Sequence, residues 1–320
     1  MIFLLQYFYS YSIIIYRYKN ISYRYSKGNK MSKKAMSWIC ALVFLIFIGI
    51  LDYPFLARIY NEKIQEQAAV RYEKGTGELN ISGQEEALEE ARAYNRRLAD
   101  GTGVSLEDAF AEAQAEDKYY DEILDTDDEG IMAVIEIPEI QVQLPVYHGT
   151  SEDILQRGAG HLKGSSFPVG GDSTHACISA HRGLPGKEMF TRLDLLSEGD
   201  VFYIRVMGEV LAYEICGIET VTPDQVEPLR IRQGEDLVTL ITCTPYGINS
   251  HRLYVHGRRI PYEEAEKREQ QADLGQRAER LWQKYWWVGV TVLLFIWMIW
   301  LLYRFNRKGE KYEREKERKV

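Results

Sequence analysis

The chain has 320 residues and a net charge of −8, from 47 acidic against 39 basic side chains. The acidic excess is densest over residues 107–129, which argues against nucleic acid as a partner; such a run is ordinarily a solvated face. The length would house two average domains only if all of it stayed in water, and two apolar segments do not.

Residues 1–30 (MIFLLQYFYSYSIIIYRYKNISYRYSKGNK) are crowded with Tyr and Ile and lack helix caps, turn punctuation or a balanced polar face. Met31-Ser-Lys-Lys stands just before an apolar run, so translation is expected to begin at Met31, within an N-terminal segment covering 1–35. The run at 38–51 (WICALVFLIFIGIL) is uncharged. Each central Leu, Ile, Phe or Val favours a bilayer by roughly 0.3–0.6 kcal/mol, so about ten of them gain several kcal/mol. With borrowed neighbours it predicts a first transmembrane helix over 36–56, with Asp52 near the interface. No small-x-small cleavage site follows, so an uncleaved anchor is expected.

The helical pattern continues over 57–72 until Gly75-Thr-Gly interrupts it. A second helix follows. Ser82 with Glu85 matches a capping box, and Ala87, Leu88, Ala91, Tyr94 and Leu98 recur at helical spacing, a face expected to dock on the main domain. After the break at Asp100-Gly-Thr-Gly, residues 105–120 are expected to form a polar, partly helical surface stretch. Residues 57–127 are thus a helical region outside the membrane.

From Ile131 the pattern changes to short apolar runs punctuated by Pro, Gly and Asp: IMAVIEI, VQLPVY, THACISA, VFYIRV, LAYEICGI, LVTLITC and RLYVHG. Many short strands at regular spacing predict an all-β barrel or sandwich over 128–262. Residues 263–283 are charged and helical without a core face, and read as a stalk returning to the membrane. The uncharged run YWWVGVTVLLFIWMIWLLY then predicts a second transmembrane helix over 284–304, long enough for about 30 Å of hydrocarbon. Trp282, Trp286 and Trp287 at one end, with Trp300 and Tyr303 at the other, fit interfacial belts. Lys33 and Lys34 before the first span, and Arg304, Arg307 and Lys308 with the basic tail 305–320 after the second, put both termini in the cytoplasm. The middle of the chain is then extracellular.

Of the four cysteines, Cys40 lies in a predicted span and cannot join an outer disulfide. Cys177, Cys216 and Cys243 remain, an odd number that leaves at least one free thiol in an exported domain. Cys177 and Cys216 sit inside apolar strand patterns and read as packing residues. Cys243 closes the run LVTLIT before the turn signal Thr-Pro-Tyr-Gly, which places its sulfur at a rim of the β-domain. A thiol with pKa near 8.5 is only a few per cent ionised at neutral pH, so a nucleophilic role requires a neighbouring base or cation. His175 and His181 lie about six residues apart on one predicted strand, roughly 20 Å at about 3.3 Å per residue, so only one can reach Cys243. His181 ends its strand and enters a turn, and strand ends carry sites more often than strand middles. His148, His161, His251 and His256 are assigned structural roles. Arg252 opens the strand after the loop TPYGINSH, and hairpin pairing would return it beside the thiol. There a guanidinium supplies fixed charge and forked donors to a developing oxyanion; a surface arginine is the ordinary alternative. No Cys/His cluster has zinc spacing.

The stretch TLITCTPYGINSHRLYVHGRRI resembles the signature of sortases, particularly the class C enzymes that polymerise pilins on Gram-positive cells. The resemblance extends upstream over residues 131–200 and so covers the whole predicted β-domain. It implies a mainly β, sortase-like eight-stranded β-barrel with flanking helices, an N-terminal helical and lid region, and two transmembrane helices. It also implies that Cys243 is the nucleophile, His181 the general acid/base, Arg252 a binding and stabilising group, and Thr242 part of the substrate groove, with no metal or cofactor. The implied reaction cuts an LPXTG-like sorting signal between Thr and Gly and transfers the acyl group to a pilin lysine. Class C sortases carry a lid with an Asp-Pro-aromatic motif; here the matching place reads Asp108-Ala109-Phe110. The missing proline removes a fixed φ. Phe110 is expected over Cys243 and Asp108 beside Arg252, the ordinary alternative being an acidic surface helix with one buried Phe. Two other readings stand beside the pilin polymerase: a cell-wall-anchoring sortase using a peptidoglycan amine, and a non-enzymatic, membrane-tethered binding module.

Overall fold

The computed structural model describes residues 33–102, 118–125 and 130–318. The expected start at Met31 and the lid residues Asp108 and Phe110 lie outside the described residues. The chain divides into two compact units, Met1–Asp52 with Trp282–Val320, and Tyr53–Leu281.

In the first unit, helices α1 (Lys33–Glu78) and α5 (Tyr262–Glu317) each contain a stretch long and apolar enough to cross a membrane. Their large side chains, among them Trp38, Leu42, Val43, Leu293, Ile296 and Trp300, are exposed. A continuous apolar surface of this kind is costly in water and favourable against lipid. Thr291 Oγ1 donates to Asp52 Oδ1 at 2.9 Å, so the carboxylate beside the first apolar run has a partner on the second helix.

The second unit is built on a closed barrel whose strands are hydrogen-bonded in the order β1-β2-β3-β4-β7-β8-β6-β5. The strands are β1 (Ile131–Ile137), β2 (Val142–His148), β3 (Ala159–His161), β4 (Thr174–Ser179), β5 (Val201–Val206), β6 (Glu209–Val221), β7 (Asp236–Thr244) and β8 (His251–Ile260). The pairs β2–β3 and β4–β7 are parallel and the rest antiparallel. Seven strands coincide with apolar runs visible in the sequence. The eighth, β3, is the three-residue Ala159-Gly160-His161, too short to show an alternating pattern. Gly160 is required there, since a Cβ would stand 2.3 Å from the Gly149 carbonyl oxygen.

Helix α2 (Ile81–Arg97) closes over the barrel through Leu88, Ala91 and Tyr94, which join one core with Phe167, Phe202, Tyr213 and Val255. Asn95 fixes it by a reciprocal pair, donating to the Phe167 carbonyl (3.0 Å) and accepting from the Phe167 amide (2.7 Å). The start of α2 departs from the expected capping box. Asn80 is the N-cap, its Oδ1 accepting from Gly83 N at 2.7 Å, because a side chain that directly satisfies a free helical N–H defines the end. Gly75-Thr-Gly likewise does not interrupt α1, which runs on to Glu78. Thr76 is buried, and its hydroxyl is in hydrogen-bond reach of Tyr72 O at 3.0 Å, while Tyr72 OH donates to Met132 O at 2.8 Å. Tertiary anchoring of this turn outweighs the roughly 1 kcal/mol that each helical glycine costs.

The short helix α3 (Lys118–Glu122) brings Tyr120 into the wall beside His161. Helix α4 (Glu152–Arg157) follows β2. The charged stalk and the second apolar run form the single helix α5 rather than separate elements.

Candidate active site

The barrel places the three predicted residues along one rim of neighbouring strands. In the β7–β8 hairpin, Cys243 and Arg252 are direct cross-strand partners, and side chains of directly opposed residues share a face. On the other side of β7, the parallel ladder with β4 ends at Ser179 opposite Ile241. Ala180 continues it, its amide donating to Ile241 O at 3.1 Å and its carbonyl accepting from Thr242 Oγ1 at 2.8 Å. His181 is the next residue in the chain after the bonded Ala180. His181 therefore lies just past the strand it was expected to end. Cys243 and Arg252 are 8% and 7% exposed, so the thiol and the guanidinium are largely withdrawn from bulk water.

Each group has local support. Arg252 Nη1 donates at 3.2 Å to the carbonyls of Asn249, in the turn after β7, and of His251, at the start of β8. That turn is closed by bonds from Ile248 N and Asn249 N to Pro245 O. His181 starts a loop closed by Phe190 N donating to His181 O at 3.0 Å. Glycine is needed at position 183, where φ is +78° and a Cβ would stand 2.6 Å from the Tyr246 ring. Helix α1 braces the same loop, with Asn61 Nδ2 donating to Gly186 O at 2.8 Å and Arg58 paired with Glu188 at 3.0 Å. His181 Nε2 lies 3.3 Å from Glu152 Oε2 on the first turn of α4. Sequence inspection missed Glu152, because an acidic residue opening a helix is commonplace and nothing local points to a histidine on another element.

Thr242 is fully buried and gives its hydroxyl to Ala180, so any effect on a groove passes through the strands it ties. His175 sits at the far end of β4, with Nδ1 3.0 Å from Arg230 O and Nε2 2.6 Å from Thr239 Oγ1. Burial holds its pKa down at about 4. Cys177 is fully buried, and desolvation pushes its thiol up to about 12. Cys216 is exposed on β6, its pKa also raised by partial burial. All four cysteines are free thiols. Among the described residues no cluster of His, Cys, Asp and Glu could hold a metal ion. A thiol grouped with an imidazole and a guanidinium supplies a nucleophile, a proton carrier and fixed positive charge for acyl transfer.

The sortase domain family model matches residues 135–260. Sortase C of Streptococcus pneumoniae, whose structure was analysed for catalysis and pilin substrate specificity, is 43% identical, with a TM-score of 0.57 over 61% of this chain and 97% of that one. Sortase C-1 of Actinomyces oris is 44% identical, with a TM-score of 0.52 over 57% of this chain and 99% of that one. Sortase A of Streptococcus agalactiae is 33% identical over 129 residues, 39% of this chain and 51% of that protein, so the chain spans about half the length of this curated relative.

Proposed function

The chain belongs to the sortase family, as a class C member, and from that premise we propose that it is a membrane-held cysteine transpeptidase that joins pilin subunits. The observation that carries the reading is the shared rim: Cys243 paired with Arg252 across one ladder, with His181 two residues beyond the last pair, Ser179–Ile241, of the neighbouring ladder. The sulfur of Cys243, as thiolate, attacks the Thr carbonyl carbon of an LPXTG-like signal. Arg252 faces the oxygen on which negative charge develops. As the Thr–Gly bond breaks, imidazolium His181 gives its proton to the leaving glycine amine, and a thioester remains on Cys243. A lysine amine of another pilin subunit attacks that thioester, His181 takes up the amine proton, and the thiolate leaves as the new amide forms. The similarity of the chain to pilus-related sortases supports the pilin as acceptor. The two apolar helices support membrane anchoring, with both termini cytoplasmic and the barrel outside, where surface proteins are assembled.

The test is covalent trapping. Incubated with an LPXTG peptide, the protein is expected to gain the mass of the acyl fragment at Cys243 and to release it to an added lysine amine. Cys243→Ala is expected to show neither, and Arg252→Lys to slow turnover by about 100- to 1000-fold, the usual effect of losing one oxyanion donor. Wild-type protein that binds the peptide without forming an adduct would leave the binding-module reading in its place.

A further inference from the structure

Arg182 follows His181 directly, yet its side chain is only 9% exposed and does not point into solvent as a loop arginine ordinarily would. Its Nη1 donates to Thr244 Oγ1 at 2.9 Å, and its Nη2 to Asp194 on the short turn Leu193–Leu195. Thr244 is the residue directly after Cys243. The backbone of β4 stops bonding to β7 at Ala180, and beyond that point the chain bonds within its own loop, Phe190 N to His181 O and Gly183 N to Thr191 Oγ1. The two strands are nevertheless tied on both sides of the candidate pair. On one side Thr242 Oγ1 donates to Ala180 O; on the other, Arg182 donates to Thr244 Oγ1.

Resting on the functional reading above, we propose that Arg182 is a positioning residue: with Thr244 it sets the separation of the His181 imidazole from the Cys243 sulfur, where the β-ladder no longer does so. A fixed fork suits this task, since one guanidinium reaches two partners in a defined plane while Lys offers a single point charge. Stability alone explains the arrangement poorly, because Arg182 Nε is buried without a hydrogen-bond partner among the described residues, and an unmade buried bond costs stability.

The experiment uses the full chain in detergent and two readouts: turnover of a fluorogenic LPXTG peptide, and the pH dependence of iodoacetamide alkylation at Cys243. Thr244→Val removes the acceptor and leaves the Arg182–Asp194 pair in place, so it tests the tie even if Arg182→Met fails to fold. Thr244→Val is expected to lower kcat about tenfold or more with KM changed less than about twofold, since small misplacement of reacting groups is costly. The midpoint of its alkylation profile is expected to move from the wild-type value, because the reactivity of a thiol depends on how closely a base or cation is held beside it. Thr244→Ser is expected to restore both, and the double variant Arg182→Met/Thr244→Val to be no worse than Arg182→Met. Wild-type kcat and an unmoved alkylation profile in Thr244→Val, or additive losses in the double variant, would overturn the proposal. Failure of the wild-type protein to turn over peptide would count against the transpeptidase reading instead, and the alkylation profiles would still decide the role of Arg182.

Discussion

His161 lies in the barrel wall with Nε2 2.8 Å from the Ser166 carbonyl and Nδ1 2.8 Å from the Tyr120 hydroxyl. A carbonyl can only accept, so Nε2 carries the proton and Nδ1 accepts from Tyr120. Burial holds the pKa of His161 at about 4, below its ordinary 6.5, and does the same for His175. Both are therefore neutral in the folded state through a range in which the unfolded chain binds protons. Their contribution is intact above pH 6.5 and is lost progressively as pH falls toward 4, on the order of a few kcal/mol for each in full. Chemical denaturation midpoints are expected to fall between pH 6.5 and 5, before most carboxylates titrate; a flat profile there would contradict the buried neutral assignment. The cysteines make a second residue-scale prediction. Cys177, desolvated and raised to about 12, is expected to resist maleimide in the native protein while Cys216 reacts, and to label only after unfolding, as peptide mapping would show.

At the scale of elements, three pieces of chain have identifiable ties: α2 to the barrel through Asn95, the loop after His181 to α1, and the β7–β8 turn through Arg252. Asn95 is the clearest case, being 2% exposed and bonded both ways to the Phe167 backbone. Asn95→Ala is expected to leave the buried Phe167 N–H unsatisfied, while Val169 N still donates to the Phe167 carbonyl, and to cost about 1–3 kcal/mol, measured as a lowered urea midpoint. Hydrogen exchange should rise along α2 more than along β7; uniform exchange would mean that α2 does not depend on this pair. The helical spacing of Leu88, Ala91 and Tyr94 already marks the buried face of α2, because helix periodicity is local. Asn95 has no such signature. Its partner is 72 residues away, and an Asn next to an apolar stripe looks the same whether it is solvated or clasped.

For the whole molecule, an apolar helical stretch stands in the chain before and after the mainly β unit, and in the proposed topology the chain enters and leaves the membrane on the same side. Reporters fused at each end of the chain are expected to be active only in the cytoplasm, and protease added outside intact cells to cut between the spans. An extracellular signal from either terminus would contradict this topology. What the sequence by itself determined is whatever depends on neighbours along the chain: the two apolar runs, seven of the strands, the docking face of α2, and the end-of-strand positions of Cys243 and Arg252, which a hairpin turn necessarily returns to one another. The tertiary structure alone decided the parallel alignment of β4 with β7, the passage of α1 through Gly75-Thr-Gly, the strand β3, and the tie from Arg182 to a residue 62 positions away. The physical reason is range. Periodicity and turn chemistry act over a few residues and are written in composition, whereas parallel register and side-chain ties are set when distant segments share one core, where packing and buried hydrogen bonds select the partner.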